Sequence, residues 1–153
     1  MPLVFDLLPF ARQLDFKYVN GEQRLFDLTR KTYLKVSPEE IVRQSLILKL
    51  VNDFSFPISR MQSEYEIYNN QLVKRIDLLI YNRMGMPLMI IETKAPSIKL
   101  NQKAIDQVVF YNNVIFAPWL MVANGSEALL ASIDFETGQT TEFFEFPNNL
   151  NKL

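Results

Sequence analysis

The sequence predicts a mixed α/β fold in which helices cover a sheet, and two observations lead to this prediction. Two segments of about four turns carry apolar residues at helical spacing, and they begin near residues 37 and 101. Short stretches with alternating or continuous apolar residues surround them, bounded by Gly, Asn or Pro as strands usually are. The resulting order is a β-hairpin, a helix, three strands, a helix and three strands, which favours one domain over residues 1–153.

Local signals mark the first elements. The segment FKYVNGEQRLFDL alternates around Asn20-Gly21, a pair favoured in two-residue turns, and predicts an N-terminal hairpin. A helix begins at SPEEIVRQSLILKLVNDF, because Ser37 is a good N-cap and Pro38 suits the first helical position. Glu40 stands where the acid of a capping box with Ser37 is expected.

Three strands, a second helix and three further strands follow. The segments SEYEIY, LVKRIDLLIYN and PLMIIETK are predicted strands, with RMGM as the turn before the third. In the second of them we expect Ile76, Leu78 and Ile80 on one face and Asp77 on the other. The segment NQKAIDQVVFYNNVIF has helical periodicity, and PWLMVA, ALLASIDF and TTEFFEF are predicted strands.

The residue types that are missing exclude several kinds of chemistry. The chain has no cysteine and no histidine, which excludes disulfides, thiolate or histidine metal sites, and triads with an imidazole base. Catalysis would therefore use carboxylates, lysine, hydroxyls and a hard, oxygen-liganded cation such as magnesium. The lack of cysteine, of a basic leader and of a long apolar run predicts a cytoplasmic protein without a membrane segment.

Charge is distributed unevenly along the chain. The net charge is −1, but residues 1–103 carry a net charge of +4 and residues 104–151 carry −6. A basic surface on one side can meet a polyanion such as DNA while the acidic segment faces away, and the alternative is that these charges only face solvent. The basic residues cluster, and the candidate nucleic-acid contacts among them are Arg30, Lys31, Arg75, Lys99 and Lys103.

An ionic pair ends the apolar strand in MPLMIIETKAP. Glu92 and Lys94 are two residues apart, so their side chains share a face. If this strand forms a hairpin around Met84-Gly85, paired positions sum to 169 and Asp77 lies opposite Glu92. Opposed carboxylates repel, and a divalent cation between them resolves the repulsion, with Lys94 beside a bound water or phosphate. The alternative is an ion pair of Lys94 with one of the carboxylates.

These residues resemble a known signature. Asp77 and Glu92-x-Lys94 on successive strands resemble the PD-(D/E)xK nuclease motif. The segments RKTYLKVSPEEIVRQ, KRIDLLIYN, IIETKAP, DQVVFYNN and ANG resemble the N-terminal nuclease domain of type I restriction enzyme R subunits, in its stand-alone bacterial form. The resemblance covers residues 25–130, roughly, and implies a restriction-endonuclease-like core of order αβββαβ, with the N-terminal hairpin and C-terminal strands added.

The resemblance also implies a site. It makes Asp77 and Glu92 ligands of magnesium or manganese, with the Thr93 carbonyl as a candidate third ligand, and it makes Lys94 the group that orients water or stabilises charge. Glu40 matches the acid that the first helix contributes to such metal sites, although the capping box is a competing role for this carboxylate.

A second motif lies on the predicted second helix. The segment QVVFY resembles the Q-x-x-x-Y motif of the RecB-like branch. Gln107 and Tyr111 are one helical turn apart, so they share a face, where they can contact a phosphate or brace Lys94. The alternative is that they satisfy nearby backbone groups.

The predicted function is that of a magnesium-dependent endonuclease that hydrolyses DNA phosphodiester bonds. R subunits carry a motor after this domain, whereas this chain has no Walker motif for ATP. DNA, a motor or specificity protein, and a second copy of the chain are therefore the candidate partners. The alternative is a non-catalytic module that binds DNA or a protein on the same fold.

Overall fold

A mixed sheet with one long helix on each face forms the body of the protein. The computed structural model describes residues 2–153, apart from the side chain of Asn69. Helix α2 (Pro38–Phe54) covers one face of the sheet and α3 (Gln102–Ile115) covers the other. The main path of strands across the sheet is β1 (Leu3–Val4), β9 (Glu127–Ile133), β8 (Trp119–Ala123), β7 (Pro87–Thr93), β6 (Leu72–Tyr81) and β5 (Met61–Asn69).

The order of these elements agrees with the prediction. From α2 the chain passes through β5, β6, β7, α3 and β8, which is the αβββαβ order. Strands β5, β6 and β7 are antiparallel neighbours, whereas α3 connects β7 to a parallel β8. Strand β10 (Thr140–Phe143) pairs with the same edge of β9 as β1 does, further along β9. Within the described residues, no helix has the length and apolar character needed to span a membrane.

A smaller antiparallel sheet precedes α2. It contains β2 (Phe16–Val19), β3 (Glu22–Asp27) and β4 (Thr32–Lys35). Asn20 and Gly21 both have positive φ, at 52° and 79°, as the predicted turn requires, and the N-terminal hairpin is confirmed. The third strand, β4, was not predicted from the sequence. Neither were β1 and α1 (Leu8–Ala11), which are too short to show periodicity.

Alternate residues of the central strands bury against the two helices. Leu78 and Ile80 pack in the cluster that contains α2, whereas Leu79 packs in the cluster that contains α3. Ile76 packs with Leu79, so the prediction that Ile76 shares a face with Leu78 and Ile80 is wrong. The regular alternation fails beside an irregular residue of the neighbouring strand β5, Glu64, which has a φ of +56°.

The starts of both long helices follow from their first residues. The Ser37 hydroxyl oxygen accepts a hydrogen bond from the Glu40 backbone N–H at 3.1 Å, with Pro38 in the first turn. At α3, the Asn101 side-chain oxygen accepts from the Ala104 N–H at 3.3 Å. These caps fix where each helix starts relative to the sheet, and thereby which side chains face the end of β7.

Candidate active site

The register of β6 on β7 brings two carboxylates together at the end of β7. Leu78 pairs with Ile91, Leu79 with Ile90 and Ile80 with Met89, so the two residue numbers of each pair sum to 169, as predicted. Asp77 therefore comes opposite Glu92, at the point where β7 ends and β6 continues with β5 alone. The site lies at this fork in the sheet.

Asp77 is held by the last residue of β7. Its Oδ2 accepts hydrogen bonds from the backbone N–H of Thr93 at 2.7 Å and from the Thr93 hydroxyl at 2.9 Å. Burial raises the pKa of Asp77, and the two Thr93 hydrogen bonds and the positive charge of Arg43 counteract part of that rise. The Asp77 carboxylate is thus held in one orientation, but its hydrogen bonds and the charge of Arg43 do not fully offset the cost of burying it.

Glu92 is the most perturbed acid of the site. The residue is 7% exposed, and its Oε1 lies 3.2 Å from the Gln107 side-chain nitrogen and 3.8 Å from the Lys94 ammonium. Its Oε2 is buried without a hydrogen-bond partner among the described residues. Burial and then the charge of Asp77 raise the pKa of Glu92 to about 8. A buried acceptor oxygen without a donor is costly, and a cation or a proton relieves that cost.

Gln107 connects the lysine to the acid. Its side-chain oxygen accepts from the Lys94 ammonium at 2.8 Å, and its nitrogen donates to Glu92 and to the Tyr111 hydroxyl oxygen at 3.0 Å. Because the ammonium can only donate, the amide must present its oxygen to Lys94, which fixes the orientation of the group. The structure therefore brings together the predicted residues Asp77, Glu92, Thr93, Lys94, Gln107 and Tyr111.

Glu40 lies apart from this group, buried on α2. Its Oε1 accepts from the Gln44 side chain at 2.9 Å and from Arg43 Nε at 3.3 Å, and its Oε2 pairs with the Arg43 guanidinium. Because this carboxylate bonds along its own helix, the capping box with Ser37 is only half present, with Ser37 as the cap. A buried guanidinium is a stronger donor to a carboxylate than a backbone N–H, which explains the difference.

Arg43 and Glu64 are parts of the site that were not predicted. Arg43 is 4% exposed, and its guanidinium pairs with Glu40 and Glu64 and lies 3.4 Å from the Asp77 carbonyl oxygen. Burial works against its charge, but Glu40 and Glu64 outweigh burial and raise the pKa of Arg43. In the sequence, a Glu and an Arg three positions apart are typical of an exposed helical pair, so nothing there distinguishes this one.

The predicted nucleic-acid residues divide into two groups. Arg30 is bound to Asp27 at 2.5 Å, and Arg75 lies 3.3 Å from Glu66. Lys31, Lys99 and Lys103 are exposed and have no carboxylate partner among residues 2–153. Lys99 and Lys103 flank the start of α3, close in sequence to Lys94.

We expect the melting temperature of the cation-free protein to fall as the pH rises from 4.5 to about 8. Folded Glu92 keeps its proton in this range, whereas an unfolded glutamate loses it near pH 4.5, so the folded state binds more protons. Glu92→Gln carries no titrating group and should flatten the curve. The measurement is a melting curve at each pH with EDTA present, and identical slopes for both proteins would contradict the expectation.

Comparisons with known proteins identify the family of the chain. The family model described as type I restriction enzyme R protein N terminus (HSDR_N) matches residues 38–147. A solved structure, a fragment assigned as an HsdR subunit of a type I restriction enzyme from Vibrio vulnificus YJ016, is 17% identical, with a TM-score of 0.46. That similarity covers 66% of this chain and 22% of the fragment, so this chain spans about a fifth of its length. No curated protein matches the sequence. The matched family model spans α2 to β10, and the chain belongs to the family of type I restriction enzyme R protein N-terminal domains.

Proposed function

We propose that this domain is a magnesium-dependent endonuclease that hydrolyses phosphodiester bonds of DNA. Membership of the restriction enzyme family supports a nuclease-related role. The observation that carries the proposal is the buried Glu92 Oε2, which has no hydrogen-bond partner among the described residues and stands beside Asp77 and Lys94.

The donor groups at the fork suit a hard divalent cation. Asp77 and Glu92 offer carboxylate oxygens, the preferred ligands of magnesium and manganese. Burial raises the pKa of both groups, and the charge of Asp77 adds to the rise at Glu92. These two residues would hold the cation, with the Thr93 carbonyl as a candidate third ligand. Glu40 is engaged by Arg43 and Gln44 and would reach the cation only by giving up those bonds. A bound divalent cation supplies an activated water and polarises the phosphate.

Lys94 stabilises the negative charge that develops on the phosphate. Its ammonium has three donors, of which one is used by Gln107, so the others can reach a phosphate oxygen or the attacking water. Gln107 is fixed in turn by Tyr111, so the lysine is held in place before DNA arrives. Groups that are oriented in advance lower the barrier without reorganising during the reaction.

The exposed lysines beside the site would contact the DNA backbone. Lys99 and Lys103 are exposed and close to Lys94 in sequence, and phosphate contacts from such lysines position DNA without reading its sequence. Specificity and translocation would then come from a motor or specificity protein. A cytoplasmic location stays a prediction.

Cleavage and cation binding test this proposal together. With millimolar magnesium or manganese, the wild-type protein should nick or linearise plasmid DNA, and Asp77→Asn should not, because it loses a cation-binding carboxylate. Manganese should also raise the melting temperature of the wild type by mass action, but not that of Asp77→Asn. DNA binding without cleavage under every metal condition, with equal melting curves for both proteins, would instead favour a non-catalytic binding module.

A further inference from the structure

A third carboxylate stands in line with Asp77 and Glu92. In β5, Ser63 pairs with Leu78 and Tyr65 pairs with Ile76 on β6, which leaves Glu64 level with Asp77. Asp77 is in turn level with Glu92 on β7. By register, three neighbouring strands thus each contribute one acid at the fork, although no three acids of the described residues are grouped closely enough to hold a metal ion as they stand.

Glu64 is held in an unusual backbone conformation. Its φ is +56° within a strand, in the left-handed region that non-glycine residues seldom adopt. Such strain persists only where the surroundings fix it, and it concentrates at functional sites. The irregular backbone also takes Glu64 out of the regular alternation of β5, so ordinary strand geometry does not determine where its side chain points.

Arg43 is the group that fixes the Glu64 side chain. One nitrogen of its guanidinium, Nη1, pairs with the Glu64 carboxylate and lies 3.4 Å from the Asp77 carbonyl oxygen, while the rest of the group is bound to Glu40. Glu64 is the more accessible partner, with 27% of its side chain exposed against 10% for Glu40.

We propose that Glu64 is the third acidic residue of the cation site, and that Arg43, anchored by Glu40, holds it in reserve until a cation binds. This inference rests on the proposed function, because it concerns the same cation. Two carboxylates supply few of the roughly six oxygens that such cations prefer. A cation at the fork attracts Glu64, while Arg43 keeps Glu40 and the Asp77 carbonyl as partners. Glu40, which the family resemblance suggested as a ligand, is in this arrangement a positioning residue.

Calorimetric titration with manganese chloride tests the inference without DNA. Glu64→Gln should weaken manganese binding by at least about 10-fold, because loss of even a residue that only orients a ligand costs about that much, while the amide oxygen of the glutamine still accepts from Arg43. Glu39→Gln is the matched control, because Glu39 is exposed, makes no ion pair among residues 2–153, and its replacement removes the same charge. Equal loss in the two variants would overturn the inference alone. Absence of manganese binding by the wild type would overturn the proposed function as well.

A second variant separates the roles of Glu40 and Glu64. Glu40→Gln combined with Arg43→Met removes both buried charges, leaves the net charge unchanged and frees Glu64 from Arg43, so that only the exposed Arg75, at 3.9 Å, still pairs with it. If Glu64 is held in reserve, this double variant should bind manganese more tightly than the wild type, and adding Glu64→Gln should reverse the gain. If Glu40 is itself a ligand, the double variant should bind more weakly, and that result would overturn the proposal.

Discussion

Replacement of Lys94 by methionine is expected to lower the rate constant of DNA cleavage by about 100- to 1,000-fold, the usual loss when one preorganised donor to a developing charge is removed. Methionine keeps most of the length and packing of the side chain, so the melting temperature should change little. Single-turnover cleavage of a plasmid at saturating protein and manganese is the measurement, because it reports the chemical step rather than binding.

Lys99→Met is the matched control for this experiment. Lys99 is exposed and lies in the loop that joins β7 to α3, outside the hydrogen bonds of the site. Its loss should weaken DNA binding and reduce the salt dependence of binding by about one phosphate contact, without altering the cleavage rate at saturation. If Lys94→Met behaved in the same way as Lys99→Met, Lys94 would be a DNA contact and not part of the chemistry.

Replacement of Arg43 by methionine should cost about 3–5 kcal/mol of unfolding free energy, because the buried Glu40 carboxylate loses its charged partner. For a domain of this size the melting temperature would fall by roughly 6–20 °C. Urea titration followed by circular dichroism measures the free energy directly. The cost arises from an uncompensated buried charge, so it depends on which partner remains.

The double variant Glu40→Gln with Arg43→Met is the test of that explanation. It removes both charges, and replacing a buried ion pair with neutral groups is often close to neutral for stability. Recovery of most of the lost free energy is therefore expected. A double variant as unstable as Arg43→Met would show that Arg43 stabilises the fold through Glu64 or through packing, and not through Glu40.

The sequence identified the acids at the fork because their positions depend on regular geometry. Three regular pairs of β6 and β7, from Leu78–Ile91 to Ile80–Met89, extend to put Asp77 opposite Glu92, although a register shift between Ile80 and Tyr81 separates them from the turn. Gln107 and Tyr111 could be predicted to share a helix face for a similar reason, since they are one turn apart on a helix with a clear apolar face. Periodicity accounts for the relative positions of these residues, whereas Gln107 and Tyr111 were singled out by the family resemblance.

Residues that depend on irregular geometry could not be found in this way. The left-handed φ of Glu64 leaves no mark in SEYEIY, which has the pattern of an ordinary alternating strand, and the departure of Ile76 from alternation leaves none in KRIDLLIYN. Arg43 is buried by the convergence of α2, β5 and β6, and burial of a charged helical residue is a tertiary effect that helix periodicity does not report. Family resemblance therefore suggested Glu40 as the acid of the first helix, whereas its bond to Arg43 is visible only in the folded chain.

The pairing of the first and ninth strands sets an order for folding during synthesis. Leu3 pairs with Ala128, so the first strand can join the sheet only after the ribosome has released the ninth. At about 5–20 residues per second, roughly 6–25 s of translation separate the two strands. Phe5 and Leu7, which are buried in the finished protein, remain exposed to solvent or to chaperones during that interval. The nascent chain can assemble the fork between β5, β6 and β7 well before its N-terminal segment is covered.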